Sequence, residues 1–122
     1  MDESAIMVFT SRDIDRMRSD GGSQAWKIDA RRAGQHKYLV ATWYPRGAHT
    51  KNPTYREYYE AFLVGRITKV EPADANVEGP NRYIICFDES EEISVKNAWP
   101  RGIRGPFLYG SLDKFAVPHP KF

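Results

Sequence analysis

The 122-residue sequence has one cysteine and three histidines, so it offers little for disulfides or for Cys- and His-based metal sites. Cys86 is its single cysteine, so no internal disulfide can form, and a reducing compartment is the expected location. We interpret Cys86, which lies within an apolar run, as a small buried hydrophobic residue. The three histidines are far apart, and no Cys-x-x-Cys or His-x-x-x-His pair is present. The sequence therefore predicts no metal and no other cofactor.

Long apolar runs and targeting signals are also missing. No stretch approaches the roughly 20 apolar residues of a membrane helix, and the first residues lack the basic and apolar parts of a secretory signal. Gly21 and Gly22 follow a predicted helix instead of preceding one, which argues against a phosphate-binding glycine loop. We therefore expect one domain, residues 1–122, in a cytoplasmic protein without a membrane partner.

Apolar, β-prone runs predict most of a sheet. The run from Glu60 to Pro72 has apolar residues on both faces at Ala61–Val64, which is typical of a central strand covered on two sides. Gly65 interrupts this pattern and predicts a bend or bulge that lets the sheet curl. The run Tyr83–Phe87 predicts its antiparallel neighbour. Further strands are predicted by the runs Ile6–Thr10, Lys37–Tyr44, Ile93–Val95 and Phe107–Tyr109.

A first helix is predicted directly after the first strand. Ser11 is predicted to be the N-cap of a helix over Arg12–Ser19. Ile14 and Met17 lie about one turn apart in this segment and are predicted to face inward. Gly21 is predicted to end the helix, because glycine readily adopts the left-handed conformation of a helix C-terminus.

The remaining elements complete the prediction of the fold class. Asp29 is predicted to cap a short basic helical turn over Ala30–Gln35, and Ser111–Phe115 predicts one more capped turn. The stretch Asp88–Glu92 predicts an acidic turn. The order of elements does not alternate as it would for a parallel sheet. The sequence thus predicts an α+β fold, a small and strongly bent mixed β-sheet or pseudo-barrel with short helices covering its ends.

Four stretches of the sequence match features of one known family. They are Val8–Ser11, an apolar strand ending in a serine that starts a helix; Trp26, ahead of a basic turn; Tyr38–Tyr44, a strand ending in aromatic residues; and Phe62–Val70, an apolar strand that runs through a glycine. In these features the chain resembles the PUA-like superfamily, most nearly its EVE branch. It is also similar to small uncharacterised bacterial proteins, some of which carry plasmid-replicon names. The residues after Trp99 do not map onto the family.

The resemblance implies a site and a ligand. The family's fold has a pocket in the mouth of the barrel that accepts a nucleobase, often a modified or flipped one, and a basic rim that holds the backbone. Carried over position by position, Ser11, Trp26 and Tyr44 would line this pocket. Trp43 is the alternative to Tyr44, because neighbouring residues of a strand point to opposite faces.

Aromatic and basic residues are also interleaved in the manner of a nucleic-acid-binding surface. The net charge is only +2, so the clustering of charges matters more than their sum. Each base stacked on an aromatic ring contributes about 1–3 kcal/mol, and cationic side chains hold the phosphates. The candidate residues are Ser11, Trp26, Arg31, Arg32, Trp43, Tyr44, Arg46, Lys51, Tyr55, Arg56, Trp99, Arg101 and Arg104. We therefore expect DNA or RNA as the partner.

Two alternative functions rank behind nucleic-acid binding. A protein-interaction module, including one that forms a homodimer, would use an apolar patch. That patch would comprise Tyr58, Tyr59 and the loop around Trp99. A small ribonuclease would need an acid and an imidazole near one substrate, and His49 lies close in sequence to Glu57 and Glu60. The sequence leaves both alternatives open.

Overall fold

The computed structural model describes residues 3–44, 59–100 and 105–122. These residues form six strands and three short helices. In chain order they are β1 (Ser4–Thr10), α1 (Ile14–Asp20), β2 (Gly22–Trp26), α2 (Ala30–Ala33), β3 (Tyr38–Trp43), β4 (Ala61–Pro72), α3 (Ala75–Glu78), β5 (Tyr83–Val95) and β6 (Phe107–Ser111). None of the helices within these ranges is long and apolar enough to cross a membrane.

All six strands belong to one sheet, in the order β2-β5-β4-β3-β1-β6. β1 and β3 are parallel, and the other neighbouring pairs are antiparallel. β4 lies in the interior of the sheet, as its apolar sequence predicts, and β5 is its antiparallel neighbour. The prediction of an α+β fold with a strongly bent mixed sheet is confirmed.

β4 and β5 curl because they are long and pair irregularly. They run for 12 and 13 residues, and their register shifts between Ala61 and Leu63, between Gly65 and Ile67, and again before Lys69. Such irregularities increase the local twist of a strand pair. The irregularity predicted at Gly65 is thereby confirmed. A Cβ atom at Gly65 would lie 2.9 Å from Cγ of Phe87, so glycine leaves room for the Phe87 side chain.

Both faces of the sheet are covered, which gives two cores. The helix-side core, packed with residues of α1 and α2, contains Ile6, Val8, Ile14, Met17, Trp26, Ile28, Ala33, Leu39, Ala41, Trp43, Phe62, Leu63, Ile85 and Phe87. The tail-side core, packed with the C-terminal residues, contains Ala5, Met7, Tyr38, Val40, Ala61, Val64, Trp99, Leu112, Phe115 and Val117. Residues of β1 and β3 alternate between the two cores, as expected for strands that are buried on both faces.

The first helix begins later than the sequence predicts. α1 spans Ile14–Asp20, and its N-cap is Asp13, whose carboxylate accepts a hydrogen bond from Arg16 N–H at 3.1 Å. The prediction that Ser11 caps this helix is wrong, because Asp13 has the extended backbone and the acceptor that an N-cap requires. The inward orientation of Ile14 and Met17 is confirmed, and the helix ends at Gly21 with a left-handed φ of 79°.

The predicted acidic turn at Asp88–Glu92 is also wrong. These residues continue β5, which runs without a break from Tyr83 to Val95 and includes the predicted short strand at Ile93. Repulsion between the carboxylates is relieved by Arg66 of β4, which lies 2.8 Å from Asp88 and 3.3 Å from Glu89. The hydrogen bond from Arg66 lowers the pKa of Asp88. A cation on the neighbouring strand thus allows an acidic segment to form a strand.

The C-terminal residues form the helical turn predicted at Ser111–Phe115. The Ser111 carbonyl accepts from Phe115 N–H at 3.1 Å, and the Ser111 hydroxyl accepts from Lys114 N–H at 3.1 Å. The turn closes as a Schellman motif, since Ala116 N–H donates to the Asp113 carbonyl and Val117 N–H donates to the Leu112 carbonyl. Ala116 has a φ of 56°, which costs a residue with a side chain about 1–2 kcal/mol.

Replacing Ala116 with glycine is expected to raise the free energy of unfolding by roughly 0.5–1 kcal/mol. The free energy gained by relieving the left-handed strain at Ala116 exceeds the free energy lost because glycine is more flexible in the unfolded chain. Denaturation in urea would measure the change. Lys114→Gly is the matched control, because Lys114 lies in the same turn without a positive φ, and it should be destabilising. A loss of stability in Ala116→Gly would contradict this account of the turn.

Candidate nucleic-acid interface

Four aromatic side chains meet at the end of the sheet where β1 and β3 finish. We call Phe9, Tyr44, Tyr59 and Trp99 the end aromatic cluster. The Phe9 ring contacts two others with nearly parallel planes: its centroid is 4.8 Å from that of Trp99 and 5.3 Å from that of Tyr59, with the planes within 17° and 21° of parallel. The Tyr44 ring is tilted against Phe9 at 4.2 Å. Phe9 therefore stacks with the buried ring of Trp99 and with the more exposed Tyr59.

Strand pairing and backbone hydrogen bonds place these rings. β1 and β3 are parallel neighbours, so their carboxyl ends lie side by side, and Tyr44 N–H donates to the Thr10 carbonyl at 2.8 Å. Tyr59 N–H donates to the Trp43 carbonyl at 3.1 Å, and Ala98 N–H donates to the Tyr59 carbonyl at 2.9 Å. Tyr59 is thus held from both sides by the backbone of the sheet and of the loop that carries Trp99.

Tyr59 combines backbone strain with exposure. Its φ is 66°, a left-handed conformation that is unusual for a bulky residue. Its side chain is nevertheless one of the two large hydrophobic groups exposed within the described residues, with 41% of its surface accessible. Strained residues that the surrounding structure holds in place occur preferentially at binding and catalytic sites. Tyr59 is accordingly the strongest candidate for a ligand-contacting ring.

The two basic loop segments lie outside the described residues, but the chain enters and leaves both of them beside the end aromatic cluster. Residues 45–58 join Tyr44 to Tyr59. Residues 101–104 begin two positions after Trp99 and end before Pro106, whose carbonyl accepts from Phe9 N–H at 2.8 Å. The predicted contributions of Arg46, Lys51, Tyr55, Arg56, Arg101 and Arg104 fall in these segments, so they stay predictions.

The other aromatic candidates are placed away from this cluster. Trp43 is completely buried in the helix-side core and contacts Phe62 edge-on at 5.8 Å. Trp26 packs in the same core, and its indole N–H donates to the Ser23 hydroxyl at 3.0 Å. Tyr44 instead contacts Phe9, which packs against the tail-side core. Trp26 and Tyr44 therefore lie in different layers, while Ser11 is half-buried just after β1.

Arg31 and Arg32 form a separate basic site on α2. Both side chains are exposed. The Arg32 guanidinium lies over the ring of Tyr109 in β6, with Cζ 4.0 Å from the ring centroid. Because Tyr109 packs against the helix-side core, the Arg32 guanidinium lies on the opposite face of the sheet from Phe9. The structure thus separates the sequence-predicted residues into a ring cluster on one face and a basic site on the other.

Of the acid and imidazole group that a ribonuclease would need, the structure describes Glu60 alone. Glu60 is buried and accepts a hydrogen bond from the Ser94 hydroxyl at 3.2 Å, while His49 and Glu57 lie outside the described residues. Burial raises the pKa of the Cys86 thiol, and so does the neighbouring Glu71 carboxylate, 3.7 Å away. Cys86 is therefore protonated at neutral pH. No group of three metal-binding side chains occurs within residues 3–44, 59–100 and 105–122.

Sequence reasoning did not place Phe9 and Tyr59 among the nucleic-acid-binding candidates. Phe9 shows one usable signal, since it follows Ala5 and Met7 at alternate positions of β1 and so shares their face. Tyr59 shows none, because its position follows from backbone hydrogen bonds with Trp43 and Ala98, which are distant in sequence. Chemically, the cluster offers flat aromatic surface, part of it exposed, to a planar ring.

A comparison of the chain with protein-family models, curated proteins and solved structures finds no match.

Proposed function

We propose that the protein binds DNA or RNA and that an unpaired base stacks on the end aromatic cluster. The observation that carries this proposal is the exposed ring of Tyr59, which is held in a strained conformation on a stack with Phe9 and Trp99. A base added to such a stack would gain about 1–3 kcal/mol. Bases within a duplex have both faces covered, so the ligand is single-stranded or has a flipped base.

Charge supports the same ligand. The sequence between Tyr44 and Tyr59 carries Arg46, Lys51 and Arg56, and Arg101 and Arg104 follow Trp99 closely. Both segments join the described structure beside the rings, and we propose that their cations contact the phosphates next to the stacked base. Cations that neutralise phosphates supply most of the affinity of a nucleic-acid-binding protein. The resemblance to PUA-like proteins favours a modified base, and this too is part of the proposal.

The proposal predicts that labelled single-stranded DNA or RNA binds more tightly than duplex and that the affinity falls as salt rises. Tyr59→Leu should weaken binding by about 5- to 100-fold, because the leucine side chain fills space but provides no ring for stacking. Fluorescence anisotropy across a salt series, with unmodified and modified bases, would measure both effects. Tyr59→Phe is the matched control, since it keeps the ring and should bind almost as the wild type does.

Two results would count against the proposal. If Tyr59→Leu and Tyr59→Phe bound equally well, stacking on Tyr59 would not contribute. If the protein bound no nucleic acid at low salt, the exposed ring would instead favour a protein-interaction module, whose contacts tolerate salt because they are largely apolar. Denaturation of each variant in urea would show that the loss of binding does not come from unfolding.

A further inference from the structure

Among the residues that the structure describes, β6 is the last strand of the sheet, and its outer edge is regular and has no partner strand. Within the described residues it pairs with β1 alone, through five consecutive residue pairs. Phe9 N–H donates to the Pro106 carbonyl at 2.8 Å, and Leu112 N–H donates to the Glu3 carbonyl at 2.9 Å. Hydrogen-bonded pairs recur at every second residue of an antiparallel ladder. The N–H groups that point away from β1 are therefore those of Phe107, Tyr109 and Ser111. The carbonyl groups of Phe107 and Tyr109 also point away from β1.

The β6 edge lacks the usual protection against pairing. Natural edge strands carry charges, prolines or bulges that keep other strands away. The sequence of β6 from Phe107 to Ser111 has no charge and no proline, and its register with β1 is continuous. The opposite edge differs, since β2 is irregular between Ser23 and Trp26. An unprotected edge at one end of the sheet suggests that β6 is a docking edge.

The Arg32 guanidinium of α2 and the His36 ring lie beside this edge. The Arg32 guanidinium is 4.0 Å from the Tyr109 ring centroid, and the His36 ring is 4.8 Å from it. Arg31 is exposed beside Arg32 in α2. The Asp29 carboxylate accepts from the Arg32 backbone N–H as the cap of α2, while Asp113 and Lys114 are both exposed just after β6. On the helix-side face the edge is therefore bordered by the Arg32 cation.

We propose that the β6 edge, from Phe107 to Ser111, binds an extended acidic peptide segment of a protein partner as an added strand. The outward N–H and carbonyl groups would pair with the backbone of the peptide, while carboxylates at alternate positions face Arg32. Charge distinguishes this partner from a second copy of the chain. Two β6 strands paired antiparallel about Tyr109 would place the two copies of Arg32 on the same face of the joined sheet, close together. Like charges across such a pair are destabilising.

The aromatic side chains of the β6 edge lie on the opposite face of the sheet from the ring proposed to contact nucleic acid. Phe107 and Tyr109 pack against the helix-side core, whereas Phe9 of the end aromatic cluster packs against the tail-side core. A change at Tyr59 should therefore leave peptide binding unaltered. The proposals of peptide binding and of nucleic-acid binding can consequently be tested separately.

A short fluorescein-labelled peptide in which Glu alternates with Thr and Val would test the proposal. We expect saturable binding, at least about tenfold tighter than that of the same peptide with Lys in place of Glu. N-methylation of the alternate amides that face β6 keeps the charge but removes the donors, and it should weaken binding about tenfold or more. Arg32→Gln should weaken binding of the acidic peptide about fivefold. Tyr59→Leu serves as a control and should bind the peptide normally.

Amide hydrogen exchange measured by NMR gives a second readout that does not depend on affinity. Without peptide, the amides of Phe107 and Tyr109 should exchange faster than those of Leu108 and Gly110, which bond to β1. With peptide, Phe107 and Tyr109 should become protected. Equal binding of the methylated and unmethylated peptides, unchanged exchange at Tyr109, or no saturable binding up to about 1 mM would each overturn the proposal.

Discussion

Trp43→Ala is expected to lower the free energy of unfolding by about 3–5 kcal/mol, whereas Tyr44→Ala should cost about 1–2 kcal/mol. Trp43 has no accessible surface, and its ring packs against Phe62 in the helix-side core. Its removal leaves a cavity in a layer that cannot collapse, since neighbouring strands hold the backbone on both sides. Tyr44 is half-buried, and solvent can occupy much of the space that its ring leaves.

Urea denaturation of the two variants would measure this difference, with Trp43→Phe as a control that leaves a smaller cavity and should cost less. The two alanine variants also distinguish a residue that is needed for packing from one that is needed for binding. Tyr44→Ala should remain folded and lose affinity for single-stranded nucleic acid, because Tyr44 belongs to the end aromatic cluster. Similar losses of stability in both alanine variants would show that the two neighbouring rings are not divided between a buried layer and the end of the sheet.

Most strands of the sheet could be predicted from the sequence, because the strands that are buried on both faces consist of apolar residues. Ala61–Val64 is apolar on both faces, and the structure buries all four side chains. Gly65 precedes the irregularity, and glycine is required there because the ring of Phe87 on the neighbouring strand occupies the space that a side chain would need. The acidic half of β5 could not be predicted in this way. Its carboxylates Asp88 and Glu89 pair with Arg66, a cation that only the pairing of β4 with β5 brings near.

The candidate site was less accessible to sequence reasoning, because its residues meet through long-range pairing. Phe9 and Tyr44 are neighbours only because β1 and β3 are parallel. Alternation along β3 requires Trp43 and Tyr44 to face opposite sides, but it does not say which ring is buried. The structure places Trp43 in the core. The left-handed backbone of Tyr59 is held by hydrogen bonds with two segments that are distant in sequence, so no local sequence pattern predicts it.

Gly22→Ala is expected to destabilise the protein by about 3 kcal/mol, at the upper end of the usual cost of overpacking. Gly22 is the first residue of β2 and is buried opposite Cys86 of β5. An added Cβ would lie 2.9 Å from the Cα of Cys86 and 2.9 Å from Cγ1 of Ile84, and still closer to the Ile85 carbonyl oxygen. Two of these three contacts are with backbone, which cannot rotate away as a side chain can.

Gly34→Ala is the matched control for this prediction. Gly34 follows α2 with a helical φ of −67°, and the nearest atom to its added Cβ would be the Ala30 carbonyl oxygen at 3.2 Å. That substitution should change stability by no more than about 1 kcal/mol, because alanine suits a helical backbone and the contact needs only a small adjustment. Urea denaturation of both variants would compare them. If Gly22→Ala were as stable as Gly34→Ala, β2 would not pack closely on β5, and the irregular edge that distinguishes it from β6 would need another explanation.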